Sequence, residues 1–209
     1  MGKVLAMNAA RLRRFIADMT SLVGGAWQDK DEAAVIEVGR KLLGELVSHD
    51  DWLPESMARC PPHGYAQNLL WCDPFERFSM VSFVWAPSAC TPVHDHRMWG
   101  LVGMLRGSEI SQAFSRDAAT GTLAAGEATT LMPGDVEALV PALGDIHRVT
   151  NALADCGSIS IHLYGGNIGA VHRHIFDPET GEPRPFVSGY TNQVMPNLWV
   201  RSAEDRAGM

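Results

Sequence analysis

The chain has 209 residues, 46% of them hydrophobic and 20% charged, enough to bury a core of domain size. Its 17 Lys and Arg against 24 Asp and Glu give a formal net charge of -7. That argues against nucleic acid and anionic membrane as partners, since both select basic surfaces, but it leaves room for a small acidic ligand held by a local arginine.

The opening stretch MGKVLAMNAARLRRFIADM carries arginines but neither an apolar h-region nor a small-residue cleavage site, and reads as the start of a helix. Leu12, Phe15, Ile16, Met19, Leu22 and Val23 recur at helical spacing, and Gly24-Gly25 is expected to stop the run. A second helix is expected from Asp29 to Val47, through Val35, Val38, Leu42, Leu43 and Leu46, ended by HDDWLPE.

After residue 60 the pattern changes to short apolar or alternating runs broken by Gly, Pro and Asp. Strands are expected at 65–71, 77–85, 92–96, 99–105, 108–114, 128–132, 136–140, 146–150, 157–164 and 172–176, with turns at RDAATGT and MPGD. Many short strands at this spacing indicate an all-β sandwich or barrel. The expected organisation is a single domain over 1–209: a helical extension over 1–55, a β-barrel over 60–180 and a covering tail over 181–209. No run approaches the roughly 20 apolar residues needed to cross a bilayer. Cys60, Cys72, Cys90 and Cys156 form no CxxC pair and read as reduced, mostly buried thiols of a cytoplasmic protein, Cys90 among the buried ones. The tryptophans, Trp71, Trp85 and Trp99 among them, read as core and pocket wall.

The segment TPVHDHRMWGLVGMLRG holds His94 and His96 one residue apart. On a strand, residues i and i+2 share a face, so both imidazoles would aim at one point while Asp95 faces away. Two neutral imidazoles converging in an apolar setting suit a transition metal, although HxH also occurs on ordinary surface strands. A third histidine, His147, stands in PALGDIHRVTN.

Together these segments resemble the two metal motifs of the cupin superfamily. HxH is followed by Gly107, and Gly144, His147 and Asn151 give G-x-x-H-x-x-x-N. Cupins usually place a glutamate three or four residues after the second histidine; Gly100 and Leu101 stand there instead. A three-histidine site leaves the metal its full double charge and three open positions for a chelating anion and dioxygen. Within the cupins this resembles the cysteine dioxygenase type I family of thiol dioxygenases.

The resemblance extends to GSISIHLYGGNIG, where Ser160, His162 and Tyr164 fall at i, i+2 and i+4. It implies an inward hydrogen-bonded row beside the metal, with the tyrosine hydroxyl nearest the substrate. An ordinary half-exposed strand would instead turn Ile159, Ile161 and Leu163 inward and the polar row to water. YAQNLL resembles the family's substrate-binding strand, with Gln67 where the animal-type enzymes have a carboxylate-binding arginine. The glutamine-bearing bacterial branch, similar to 3-mercaptopropionate dioxygenase, uses an arginine shortly after the tyrosine, which here is Arg173. The cysteine that the animal-type enzymes crosslink to tyrosine corresponds to Gly100. His172 and His174 form a second HxH without the cupin grammar and read as surface or supporting residues.

What the resemblance implies is a cupin-type barrel holding Fe(II) on His94, His96 and His147. Tyr164, His162 and Ser160 would be its catalytic row, and Arg173 and Gln67 would bind the substrate. The partners would be a small thiol carboxylate and O2, with 3-mercaptopropionate favoured and cysteine the alternative. A different metal-dependent cupin enzyme, a non-catalytic cupin that senses a small carboxylate, and zinc in place of iron stay open from the residues alone.

Overall fold

A computed structural model describes residues 8–29 and 31–192. The expected helical start before Asn8 and the part of the covering tail after Asn192 lie outside the described residues.

Helix α1 spans Ala9–Asp29 and helix α2 Glu32–Val47. The first runs through Gly24-Gly25 instead of ending there. A mid-helix glycine costs about 1 kcal/mol. Leu12, Phe15, Ile16, Met19 and Val23 are all buried, and each such burial contributes about 1.5–3 kcal/mol. Packing therefore outweighs two poor helix formers. The second helix starts three residues later than the periodicity suggests, because the Asp31 side chain accepts from the Ala34 backbone N–H at 3.0 Å and caps it.

Among the described residues, eleven strands follow. One antiparallel sheet has the order β1 (Tyr65–Cys72), β2 (Ser79–Trp85), β9 (Ser158–Tyr164), β4 (Gly100–Arg106), β7 (Val136–Leu139). The other has the order β11 (Pro183–Phe186), β10 (Arg173–Phe176), β3 (Val93–His94), β8 (His147–Asn151), β5 (Glu109–Arg116), β6 (Leu123–Leu131). This is the expected all-β architecture with an N-terminal helical extension. Among the described residues, no helix is long and apolar enough to cross a membrane.

Both faces of the first sheet are covered. Every residue of β2 and β9 is buried. Ile159, Ile161 and Leu163 share one apolar cluster with Leu43, Leu46 and Val47 of α2 and with Met19 of α1. The helix lies so close to β4 that a Cβ on Gly103 would stand 2.9 Å from Leu43 Cγ. The two helices thus cover the outer, apolar face of β9, which frees its other face to carry polar groups inward.

Four expectations are corrected. Strand β3 covers only Val93 and His94, because the chain leaves the ladder at Asp95 and Arg97 takes a positive φ of 60°. Strand β6 starts at Leu123, five residues before its expected start. All but its two end residues are exposed, so no apolar alternation marks it. The supposed tail contributes a strand, β11, whose two prolines fit an edge position. Cys60, Cys90 and Cys156 are exposed and Cys72 is half-buried, so the thiols, Cys90 included, are not core residues.

Candidate metal centre

His94 and His147 are register partners across β3 and β8. His96 comes from the turn just beyond β3, where Asp145 Oδ2 accepts from the backbone N–H of His96 at 2.8 Å and of Arg97 at 3.2 Å. One carboxylate from the GDIH turn thus bends the first motif so that its second imidazole meets the others. Gly144 in the same turn has φ +98°, a region open mainly to glycine. Asn151, the last residue of the motif, donates from Nδ2 to Ala86 O and Cys156 O, both at 3.0 Å, and closes a loop.

The three imidazoles stand 4.8 Å apart, centroid to centroid, in each pair. Their available ligand atoms all lie within 4.8 Å of one another. Each Nδ1 has an outward neighbour: Pro92 O at 3.0 Å for His94, Ser111 Oγ at 3.2 Å for His147, Asp145 Oδ2 at 3.5 Å for His96. That leaves Nε2 of each ring to point at the shared centre.

Burial, reinforced by Arg173, pushes His94 down to about 4. Burial, with the neighbouring histidines and Arg173 adding to it, holds His96 and His147 well below the ordinary imidazole range. All three are neutral at pH 7, so the His96–Asp145 contact is not an ion pair. The cluster fits a metal on one direct observation: both ring nitrogens of His96 are buried without a hydrogen-bond partner. An orphaned buried acceptor is costly, and a cation at the shared centre would satisfy it.

The facing sheet supplies the polar row. Ser160, His162 and Tyr164 are 0%, 3% and 2% exposed, so the row points inward, not to water. Ser160 Oγ and His162 Nε2 are 2.9 Å apart, as are His162 Nδ1 and Tyr164 OH. The Tyr164 ring stacks on His96 at 5.6 Å between centroids, and Phe83 packs on His162 at 4.3 Å. Burial raises the Tyr164 phenol and lowers His162 to about 3, so both are neutral.

Arg173 enters from β10 and is 4% exposed. Its guanidinium sits 5.0 Å over the Phe186 ring, and one long bond of 3.4 Å runs from Nη1 to Asp95 O. Its Nε is buried without a partner. It shares a narrow cavity with His94, Gln67, Tyr65, Phe83 and Phe186. Gln67 is buried there too, but its Nε2 already donates to Ser188 Oγ at 3.2 Å and Gly189 O at 3.1 Å. The structure therefore brings all eight sequence-derived site residues to one interior region, with the amide donors of Gln67 taken up by the chain itself. His174 lies just outside, its Nδ1 2.8 Å from Asp95 Oδ2.

Sequence reasoning missed the supporting layer. Asp145 lies inside PALGDIHRVTN, where the motif spacing gives it no role. No motif marks Ser111, Ser158 or Glu109, and Trp85 is expected only as core and pocket wall. Trp85 donates from Nε1 to Ser160 Oγ at 3.2 Å, which makes it more than core. Ser158 continues the period-two row of β9 by one step, a signal that was available.

No family model matches the chain. Among solved structures, it is similar to a conserved protein with a double-stranded β-helix domain from Klebsiella pneumoniae subsp. pneumoniae. That match has 16% identity, covers 54% of this chain and 82% of that one, and has a TM-score of 0.43. A cupin superfamily protein from Desulfitobacterium hafniense matches at 17% identity over 57% of this chain and 94% of that one, TM-score 0.41. An oxalate oxidase in complex with the substrate analogue glycolate matches at 17% identity over 54% of this chain and 57% of its own, TM-score 0.42.

Proposed function

We propose that the chain is an iron(II)-dependent thiol dioxygenase that converts a small thiol carboxylate to its sulfinate, with 3-mercaptopropionate preferred to L-cysteine. The observation that carries this reading is Arg173: a buried cation with unspent donors, in one cavity with a ligand atom of a neutral three-nitrogen metal pocket. An anion spanning from the metal to the guanidinium would satisfy both. A carboxylate matches the guanidinium fork in geometry and charge. A thiolate matches a metal centre that has no carboxylate ligand of its own.

Iron(II), held by His94, His96 and His147, would supply the redox centre at which thiolate and dioxygen meet. The overall step balances without a further reductant: R–S⁻ + O2 gives R–SO2⁻. Two S–O bonds form and the O–O bond breaks. Sulfur loses four electrons and the two oxygens gain them.

The protein's part is positional. Ser111 and Pro92 hold the Nδ1 sides of His147 and His94, and Asp145 holds the backbone N–H of His96, so the three rings are oriented before metal arrives. Tyr164, fixed through His162, offers its hydroxyl to the reacting atoms from the side of His96. Arg173 fixes the carboxylate end, and Phe83 and Phe186 exclude water from the cavity. The cytoplasmic location expected for such a reaction belongs to the same proposal.

An oxygen-electrode trace on the iron-loaded chain tests it, with 3-mercaptopropionate, L-cysteine and cysteamine as substrates and heavy-isotope O2 traced into the product. Uptake of one O2 per sulfinate, with both atoms on sulfur, is the expected result. Ligand binding without oxygen uptake would reassign the site as a carboxylate-binding cupin. Oxygen uptake uncoupled from thiol loss would reassign it to another cupin chemistry.

A further inference from the structure

Asp95 stands between His94 and His96, yet its carboxylate binds β10 and not the three-histidine cluster. Strands β3 and β10 are antiparallel, with Val93 opposite Phe176 and His94 opposite Ile175. The same register sets Asp95 opposite His174. In a regular antiparallel ladder, the two residues of a hydrogen-bonded pair exchange both main-chain N–H···O bonds. Here only one of the two is made: the Asp95 N–H donates to His174 O at 3.2 Å. The other is replaced. The His174 N–H donates to the side-chain Oδ1 of Asp95 at 2.7 Å, and Oδ2 of the same carboxylate accepts from His174 Nδ1 at 2.8 Å.

A side-chain oxygen thus stands in for the main-chain carbonyl, and the released carbonyl turns elsewhere. Asp95 O accepts from Arg173 Nη1 at 3.4 Å, that guanidinium's one hydrogen bond among the described residues. The bond is long, so it orients the guanidinium without saturating it, while the Phe186 ring lies against its face. Arg173 Nε stays buried without a partner, which leaves it for an anion. His96 has an anchor of its own, since its backbone N–H donates to Asp145. The exchange of acceptors at Asp95 therefore acts on Arg173 and not on the neighbouring histidine.

We propose that Asp95 is a positioning residue for the carboxylate end of the ligand. By substituting its side chain for its own carbonyl in the β3–β10 pairing, it turns that carbonyl onto Arg173 and fixes the guanidinium relative to the histidine cluster. The proposal rests on the reading of Arg173 as the carboxylate anchor. In Asp95→Ala the His174 N–H loses its acceptor, and the nearest replacement is the residue 95 carbonyl, which would then leave Arg173.

Through-hydrogen-bond NMR couplings in the metal-free, unmutated full chain test the exchange of acceptors. The His174 amide nitrogen should couple to Asp95 Cγ; coupling to the Asp95 carbonyl carbon instead overturns the proposal. The Arg173 Nε–H signal, assigned by its loss in Arg173→Ala, should be sharp in the parent and lost to solvent exchange in Asp95→Ala. It should return in Asp95→Asn, whose amide oxygen still accepts from the His174 N–H. Calorimetry on the iron-loaded chain without oxygen then reads the ligand. Asp95→Ala should weaken 3-mercaptopropionate binding by roughly 2- to 10-fold, the scale of one hydrogen bond. It should leave cysteamine binding and iron content unchanged, and Asp95→Asn should restore the affinity. A parent-like Nε–H signal in Asp95→Ala, or equal losses for 3-mercaptopropionate and cysteamine, would make Asp95 a brace of the fold alone and overturn the proposal. The expected NMR and binding results without oxygen uptake would leave Asp95 in this role and overturn the dioxygenase reading instead.

Discussion

Gly100 and Tyr164 are direct register partners across β4 and β9. A Cβ on Gly100 would lie 3.2 Å from both Cδ1 and Cε1 of the tyrosine ring and 3.3 Å from Leu139 Cδ1. The glycine lets the ring lie flat against the strand, where its hydroxyl reaches His162. Gly100→Ala should force that ring to move by a few tenths of an ångström. The expected cost is about 1–3 kcal/mol of overpacking, read as a lower Tm, together with lower turnover. Because the residue beside the ring is glycine, peptide mass mapping should find Tyr164 unmodified. A Tyr164 peptide joined to any of the four cysteines would contradict the pairing.

Metal retention should depend on each of the three histidines. His147→Ala should lose most of the bound iron and leave far-UV circular dichroism unchanged, since the apolar clusters of the core do not include it. Ser111→Ala, which frees the His147 ring, should weaken metal affinity by roughly 10- to 100-fold, the usual effect of losing an orienting partner. Stoichiometric iron in His147→Ala would take that residue out of the site.

The three clustered histidines and the Ser160–His162–Tyr164 row were legible because each sits in a short motif whose period matches a strand. The turn at Arg97 was not, because it depends on Asp145, 48 residues away, accepting from its N–H. Strand β6 begins before its expected start for the opposite reason: nearly all of it is exposed, so burial wrote no pattern into it. Glu109 was invisible because β5 inverts the common rule. There Glu109 and Ser111 face inward while Phe114 lies against Arg148 on a more exposed face. Polar-in alternation on one strand makes sense only once the polar row of β9 is seen opposite it.

Removing one hydroxyl at Tyr164 should affect chemistry more than binding. Tyr164→Phe keeps the ring and its stacking on His96. Steady-state turnover should fall about tenfold or more, the scale of one well-placed donor in a dry site, with KM nearly constant. Parent-like kcat would mean that the hydroxyl faces away from the reacting atoms.

Glu109, buried on β5 with Oε1 accepting from Ser158 Oγ at 3.0 Å, should leave a mark on stability. Its folded pKa, about 8, lies above the ordinary 4.5, so the folded state binds this proton more tightly than the unfolded chain does. The associated stability is complete below pH 4.5, declines as pH rises, and is gone above about 8. The loss should be on the order of a few kcal/mol. Glu109→Gln has no proton to lose, so its denaturant-unfolding curves should show a flatter pH dependence over that interval. Parallel profiles for the two proteins would mean that Glu109 is ionised in the fold.

On the proposed function, substrate choice should turn on Arg173 and Gln67. The amide donors of Gln67 are engaged by Ser188 and Gly189, which leaves Arg173 as the cation lining the cavity with His94. Arg173 approaches from β10, in the sheet that also carries His94 and His147, whereas Gln67 lies on β1 of the other sheet. A carboxylate held on the Arg173 side lies in a different direction from the metal than one held at position 67. Binding a thiolate and an amine together, which suits cysteine, is then less favoured, and a thiol carboxylate without an amine loses little. The expected kcat/KM is therefore higher for 3-mercaptopropionate than for L-cysteine. Arg173→Ala should raise KM for both by roughly 10- to 150-fold, equivalent to a charge-assisted bond of about 1.5–3 kcal/mol. Cysteamine has no carboxylate, so it should be a poor substrate for the parent and nearly indifferent to the substitution. A clear preference for L-cysteine, or an Arg173→Ala variant with parental KM, would place the carboxylate elsewhere and favour cysteine as the substrate.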